Sequence, residues 1–166
     1  MGCEDFLVRL LPSASQEQVI SLLLRDQRIS HDASIPGGPG ESHFRYEDPD
    51  HIIEVEVAGV PRTQVSLRFA VCQSVNIDHV FTDLVVELAK MLTADTMIAE
   101  DVQPDDPRLG GSFGPTEERE LRDSLLQCIP KKRLLWQADV GTAQARVSCK
   151  GAIERFVIAG VVRPVP

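Results

Sequence analysis

The side chains most capable of chemistry in this sequence are its four histidines and the carboxylates near them. His79, Asp83 and Glu87 recur at every fourth position. On a helix that spacing sets an imidazole and two carboxylates on one face, a group able to hold a metal ion. No H-E-x-x-H pattern accompanies them and no second segment offers matching ligands. A solvated polar helix face is the plainer reading, and no metal is expected. Cys72 stands seven residues before His79, which admits a Cys/His nucleophile pair. However, Cys72 closes an apolar run, where a free cysteine is ordinarily a small core residue. His31 with Asp32, and His51 with Asp48 and Asp50, sit in or beside turns. A histidine near carboxylates can act as a base, but surface turn chemistry accounts for the same pattern. Nucleophile elbows, P-loops and dinucleotide fingerprints are missing. The Pro36-Gly37-Gly38-Pro39-Gly40 run imitates a phosphate cradle in composition only, because no Lys-Ser/Thr pair follows it. No cofactor is implied.

Charge is the stronger signal. The formal net charge is −8, which argues against nucleic-acid phosphate as the ligand. Its distribution is uneven. Residues 41–106 carry 14 acidic and 4 basic side chains, residues 107–166 carry 6 and 10, and residues 1–40 carry 5 and 3. Two acidic clusters stand out in the middle: Glu47, Asp48 and Asp50 at one turn, and Glu100, Asp101, Asp105 and Asp106 in a long loop. Such clusters suit solubility. They also suit encounter with a basic protein, since complementary charge speeds association and disfavours wrong partners.

The elements that must position these groups follow from periodicity. Residues 65–71 alternate apolar and polar, the mark of a strand with one buried face. The period then changes to that of a helix. Ile77, Phe81, Leu84, Val85, Leu88, Met91 and Leu92 form its stripe, and Asn76 is placed to cap it. A short strand follows at 96–99. Upstream, residues 43–47 and 52–57 make two further strands, joined by the Asp48-Pro49-Asp50 turn. Short turns imply an antiparallel meander. Arg45 and Arg68 fall on the polar faces flanking Glu54 and Glu56, where cross-strand ion pairs are expected. At the start, residues 6–11 read as a strand. Ser15 with Gln18 is a capping box for a helix reaching about Arg28. Residues 30–42 and 100–115 are Gly/Pro-rich loops. A third helix begins at Pro115-Thr116 and stops at Pro130. Residues 133–138, 143–149 and 153–162 read as a closing meander.

The expected fold is therefore α+β: antiparallel meanders with three helices on the apolar face, in the order β-α-β-β-β-α-β-α-β-β-β. One domain is expected over 1–166, with sub-parts 1–103 and 116–166 joined by the 100–115 loop. The 43% hydrophobic content supplies a core, yet no run approaches the roughly 18 apolar residues of a membrane span. The four dispersed cysteines lack metal spacing and read as reduced thiols. Glu4 and Asp5 do not make a basic leader, and Phe6 breaks the myristoylation pattern after Met1-Gly2-Cys3. A cytoplasmic chain is expected, with no membrane contact. The functional expectation is a non-enzymatic acidic protein that docks a basic partner, in the manner of an immunity protein against a cationic toxin. The alternative is a small enzyme with a dispersed His/carboxylate site. Self-association through an edge strand near Val157 is a further expectation.

Overall fold

Alternating strands bury one row of side chains and leave the other to water, and this chain repeats that pattern across one sheet. The computed structural model describes residues 5–33, 35, 37–71, 73, 76–98 and 111–140. In chain order the elements are β1 (Asp5–Leu11), α1 (Gln16–Leu23), β2 (Ile29–His31), β3 (Glu41–Glu47), β4 (Ile52–Ala58), β5 (Gln64–Ala70), α2 (Ile77–Leu92), β6 (Asp95–Ile98), β7 (Gly111–Phe113) and α3 (Glu118–Val140). The strands form one seven-stranded sheet in the order β2-β3-β4-β5-β1-β6-β7, with every neighbouring pair antiparallel. This is the expected α+β class. Because β1 lies between β5 and β6, those two strands run parallel to each other, and α2 is the crossover that joins them.

All three helices pack on one face. Phe6, Val8 and Leu10 of β1, Val55 and Val57 of β4, and Val65, Leu67 and Phe69 of β5 share a single core with Ile77, Phe81 and Leu84 of α2. Phe81 meets Phe69 with ring centroids 4.5 Å apart and Phe6 edge-on at 5.8 Å. Aromatic pairs of this kind contribute about 0.5–1.5 kcal/mol beyond the burial of their area. Val19 and Leu23 of α1 and Leu121, Leu125 and Ile129 of α3 extend the same core.

Several local expectations are corrected. The capping box at Ser15 forms, with Ser15 Oγ accepting from the Gln18 N–H and Gln18 Oε1 from the Ser15 N–H. The helix it opens ends at Leu23, short of Arg28. There Asp26 takes the Arg28 N–H at 2.9 Å and turns the chain into β2, a strand absent from the sequence reading. Asn76 already has helical backbone angles and makes no side-chain cap. A capping side chain needs the extended backbone of a residue just outside the helix. The 100–115 stretch contains β7, whose three residues pair with β6.

The largest correction concerns Pro130. It does not stop α3, and residues 133–138 are helical rather than a strand. A proline inside a helix removes one backbone hydrogen bond and crowds the preceding turn, at a cost of about 3 kcal/mol. Contacts beyond the proline offset that cost. Arg133 grips Asp78 with two bonds, 2.9 and 2.5 Å long, and donates a third to the Val71 carbonyl at 2.8 Å. Both partners are largely shielded, with side chains 14% and 11% exposed. The last two expected strands, 143–149 and 153–162, lie outside the described residues, as does Val157.

Removing one member of a shielded ion pair leaves the other charged and unmatched. Arg133→Ala should lower unfolding stability by about 3 kcal/mol. Arg133→Lys should restore only part of it, because an ammonium cannot make the forked contact. Urea unfolding at neutral pH checks this, and a loss below about 0.5 kcal/mol, the scale of an ordinary surface substitution, would refute it.

Candidate functional site

The helices occupy one face of the sheet, so period two places the polar residues of β1, β3, β4 and β5 together on the other. Register aligns them into two cross-strand ranks. One runs His43, Glu56, Ser66, Arg9 and Met97 across β3, β4, β5, β1 and β6. The second runs Arg45, Glu54, Arg68 and Leu7. The face is not flat. A cavity of about 330 Å³ opens on it, lined by Arg9, His43, Glu54, Glu56, Ser66 and Arg68 among others, with Leu7 and Ile35 as apolar wall. These polar residues are half-buried.

The second rank is internally neutralised. Arg68 pairs with Glu54 and lies 3.7 Å from Asp5. Burial opposes the Arg68 charge, but Glu54 more than compensates and its guanidinium is held above the usual range. Arg45 pairs with Glu47 on its own strand rather than with Glu54 opposite. The cross-strand expectation is thus met at Arg68 and replaced by a same-strand pair at Arg45. The first rank differs. Neither the Arg9 nor the Glu56 side chain makes a hydrogen bond or a contact ion pair to another described residue, although Glu56 lies near enough to Arg68 to help hold its guanidinium charged. Between them Ser66 accepts from the Gln64 amide at 3.2 Å.

The turn joining β3 to β4 is built around Asp48. Its Oδ1 accepts from the backbone N–H groups of Asp50 and His51, at 2.8 and 2.9 Å. The buried His51 ring sets Nδ1 at 2.9 and 3.0 Å from the two carboxylate oxygens. Burial works against the Asp48 charge, but the Asp50 N–H and the His51 ring and N–H outweigh it, and the carboxyl lies below the ordinary range. Tyr46 is pushed the other way, first by burial and then by Asp48. Beside that turn, the buried Gln73 amide pairs with Ile52 as a strand would. It accepts the Ile52 N–H at 3.1 Å and donates to the Ile52 carbonyl at 2.8 Å. At the other end the Gln16 amide donates to the Gly40 carbonyl at 2.9 Å and the Val57 carbonyl at 3.3 Å. A Cβ on Gly59 would meet the Gln16 Oε1 at 2.5 Å, so a larger residue there would shift the Gln16 amide.

The residues singled out from sequence separate clearly. Glu47 is matched by Arg45, Asp48 is bound into its turn, and Asp50 is exposed. Glu100, Asp101, Asp105, Asp106 and Cys72 lie outside the described residues. His79, Asp83 and Glu87 do share an exposed helix face. Asp83 is taken by Arg122 of α3, and Glu87 by Arg28 at 3.0 Å. No cluster of three or more metal-ligating side chains occurs among the described residues. His31 is exposed and stacks edge-on against Phe44, 5.5 Å between centroids. Among described residues no helix is long and apolar enough to cross a membrane. Arg9, His43, Glu56 and Ser66 were not read as a group in the sequence. The signal was available in their shared strand parity, but the order of strands was not.

No family model, curated protein or solved structure gives a significant match to the chain.

The depressed Asp48 value has a consequence for acid stability. A carboxylate whose folded pKa lies below its unfolded value of about 3.9 contributes stability that is complete above that value. The contribution is lost as pH falls through the folded pKa. Asp48→Asn should cost about 1–2 kcal/mol at pH 7, since it weakens hydrogen bonds to a charged acceptor. The gap to the unsubstituted protein should narrow between pH 7 and about pH 2, as the carboxylate loses its charge. Urea midpoints at the two pH values decide it, and a gap that does not change with pH refutes the assignment.

Proposed function

We propose that this chain is a non-enzymatic acidic binding protein that docks a basic protein partner along its β3–β4 hairpin. One observation carries the reading. Between Glu41 and Ala58 the hairpin presents Glu41, Glu47, Asp48, Asp50, Glu54 and Glu56 against a single arginine, Arg45. Glu41 and Asp50 are exposed, and Glu54 and Glu56 face the open side of the sheet. Negative potential concentrated on one rigid element raises association rates with a cationic surface and sets its orientation. Part of the charge imbalance is internal, since Asp78 and Asp83 are matched by Arg133 and Arg122 of α3. On the hairpin Glu47 is matched by Arg45 and Glu54 by Arg68, which leaves Glu41, Asp50 and Glu56 without a contact ion pair to an arginine or lysine among the described residues. Asp101, Asp105 and Asp106, outside the described residues, are three further negative charges in the sequence. An immunity protein that neutralises a cationic toxin has this physical profile, and a cytoplasmic location would suit it.

A second reading, a small enzyme with a His/carboxylate site, is favoured by one feature. His43 and Glu56 stand opposite each other across β3 and β4 and share the open-face cavity. Turnover of p-nitrophenyl esters or phosphates that is abolished in His43→Gln would establish it.

The docking proposal is tested by capture from native cell extract on the immobilised chain, identification of the retained protein, and measurement of its association rate against salt. The expected partner is basic. Asp50→Lys, and separately lysine at positions 101, 105 and 106, should slow association about tenfold at low ionic strength and flatten its salt dependence. An acidic partner, or association rates unchanged by both sets of substitutions, would overturn the proposal.

A further inference from the structure

We propose that the open-face cavity is a binding site for a small zwitterion, an amino acid or dipeptide with one ammonium and one carboxylate. The inference goes beyond protein docking and does not depend on it. The cavity holds two opposite charges that do not satisfy each other. Arg9 and Glu56 are on the same rank, both half-buried, and neither side chain has a hydrogen bond or contact ion pair to another described residue. The register explains why they stay apart. Ser66 of β5 stands between them, so their backbones are two strand spacings apart, roughly 10 Å. The nearest other cation, Arg68, is held in contact by Glu54 with Asp5 beside it, and reaches Glu56 only at longer range.

A ligand that brings a carboxylate to Arg9 and an ammonium to Glu56 completes both charges with charge-assisted hydrogen bonds. Arginine suits the carboxylate end because its fork can make two parallel bonds. A ligand of one charge completes one group and leaves the other partly desolvated and unmatched, which costs affinity. The Ser66 hydroxyl and Gln64 amide supply neutral polar contact in the middle, and Leu7 and Ile35 an apolar wall. A volume of about 330 Å³ is at the small end of ligand sites. That suits a molecule of this size and not a nucleotide.

The test is a titration followed by amide chemical shifts, with alanine and alanyl-alanine as zwitterions and acetate and ethylamine as their single-charge halves, at constant ionic strength. The expected result is saturable binding of at least one zwitterion, at least tenfold tighter than either half, with shifts centred on β1, β4 and β5. Arg9→Gln and Glu56→Gln should each weaken it at least tenfold while the thermal midpoint shows a folded protein. Glu120→Gln, on the exposed surface of α3, should leave it unchanged. Lack of saturation by either zwitterion would overturn the inference. So would equal affinity for the halves, or unweakened binding in the folded Arg9 and Glu56 variants. These outcomes leave the docking proposal untouched, since its test relies on Asp50 and the 101–106 acids and on a protein ligand.

Discussion

The contact of Phe81 with Phe6 and Phe69 anchors the arrangement of every polar group in this fold. It seats α2 on the sheet across β1 and β5. Once one face of those strands is dry, period two sends the intervening residues to the other face, whatever their charge. A one-residue slip of β5 would bury Arg68 and Ser66 and expose Leu67 and Phe69. The apolar core therefore specifies the register, and the register specifies which charges stand opposite each other. The two ranks on the open face are a by-product of hydrophobic packing on the closed one.

Within that frame, the acidic excess divides into two populations with different physical roles. Some carboxylates act as internal fasteners. Asp78 receives Arg133 across α2 and α3, Asp83 receives Arg122, Glu87 receives Arg28, and Glu54 receives Arg68. Asp48 is the pivot of a turn and takes its hydrogen bonds from the backbone and from His51. The remainder, with Glu56 on the open face and Asp50 at the hairpin tip, make no contact ion pair with a described arginine, although Arg68 acts on Glu56 at longer range. Ion pairs near the surface contribute little each. The Asp78–Arg133 pair differs because it is bidentate and largely shielded, and because it holds the part of α3 beyond its proline.

Much of this architecture was legible in the residues. The alternation at Val65, Leu67 and Phe69, the stripe from Ile77 to Leu92, the Asp48-Pro49-Asp50 turn and the Ser15/Gln18 box are local statements, and local physics decides them. Two short strands escaped notice because three residues give no period, and pairing with a neighbour creates them. Pro130 was misread for a related reason. Its local cost is real, but Arg133 and Asp78, 55 positions apart, outweigh it.

The sequence alone determined which residues form a pleated or helical surface, which side of each is apolar, and that the middle of the chain is acidic. Those properties depend on spacing within a few residues. The tertiary structure alone decided that β1 inserts beside β5, and with it that Arg9 faces Glu56 across Ser66. Strand order is chosen by the burial of whole faces against α2, a sum over distant contacts that no short window contains. The charges that meet on the open face are strangers in sequence, and only the shared core introduces them.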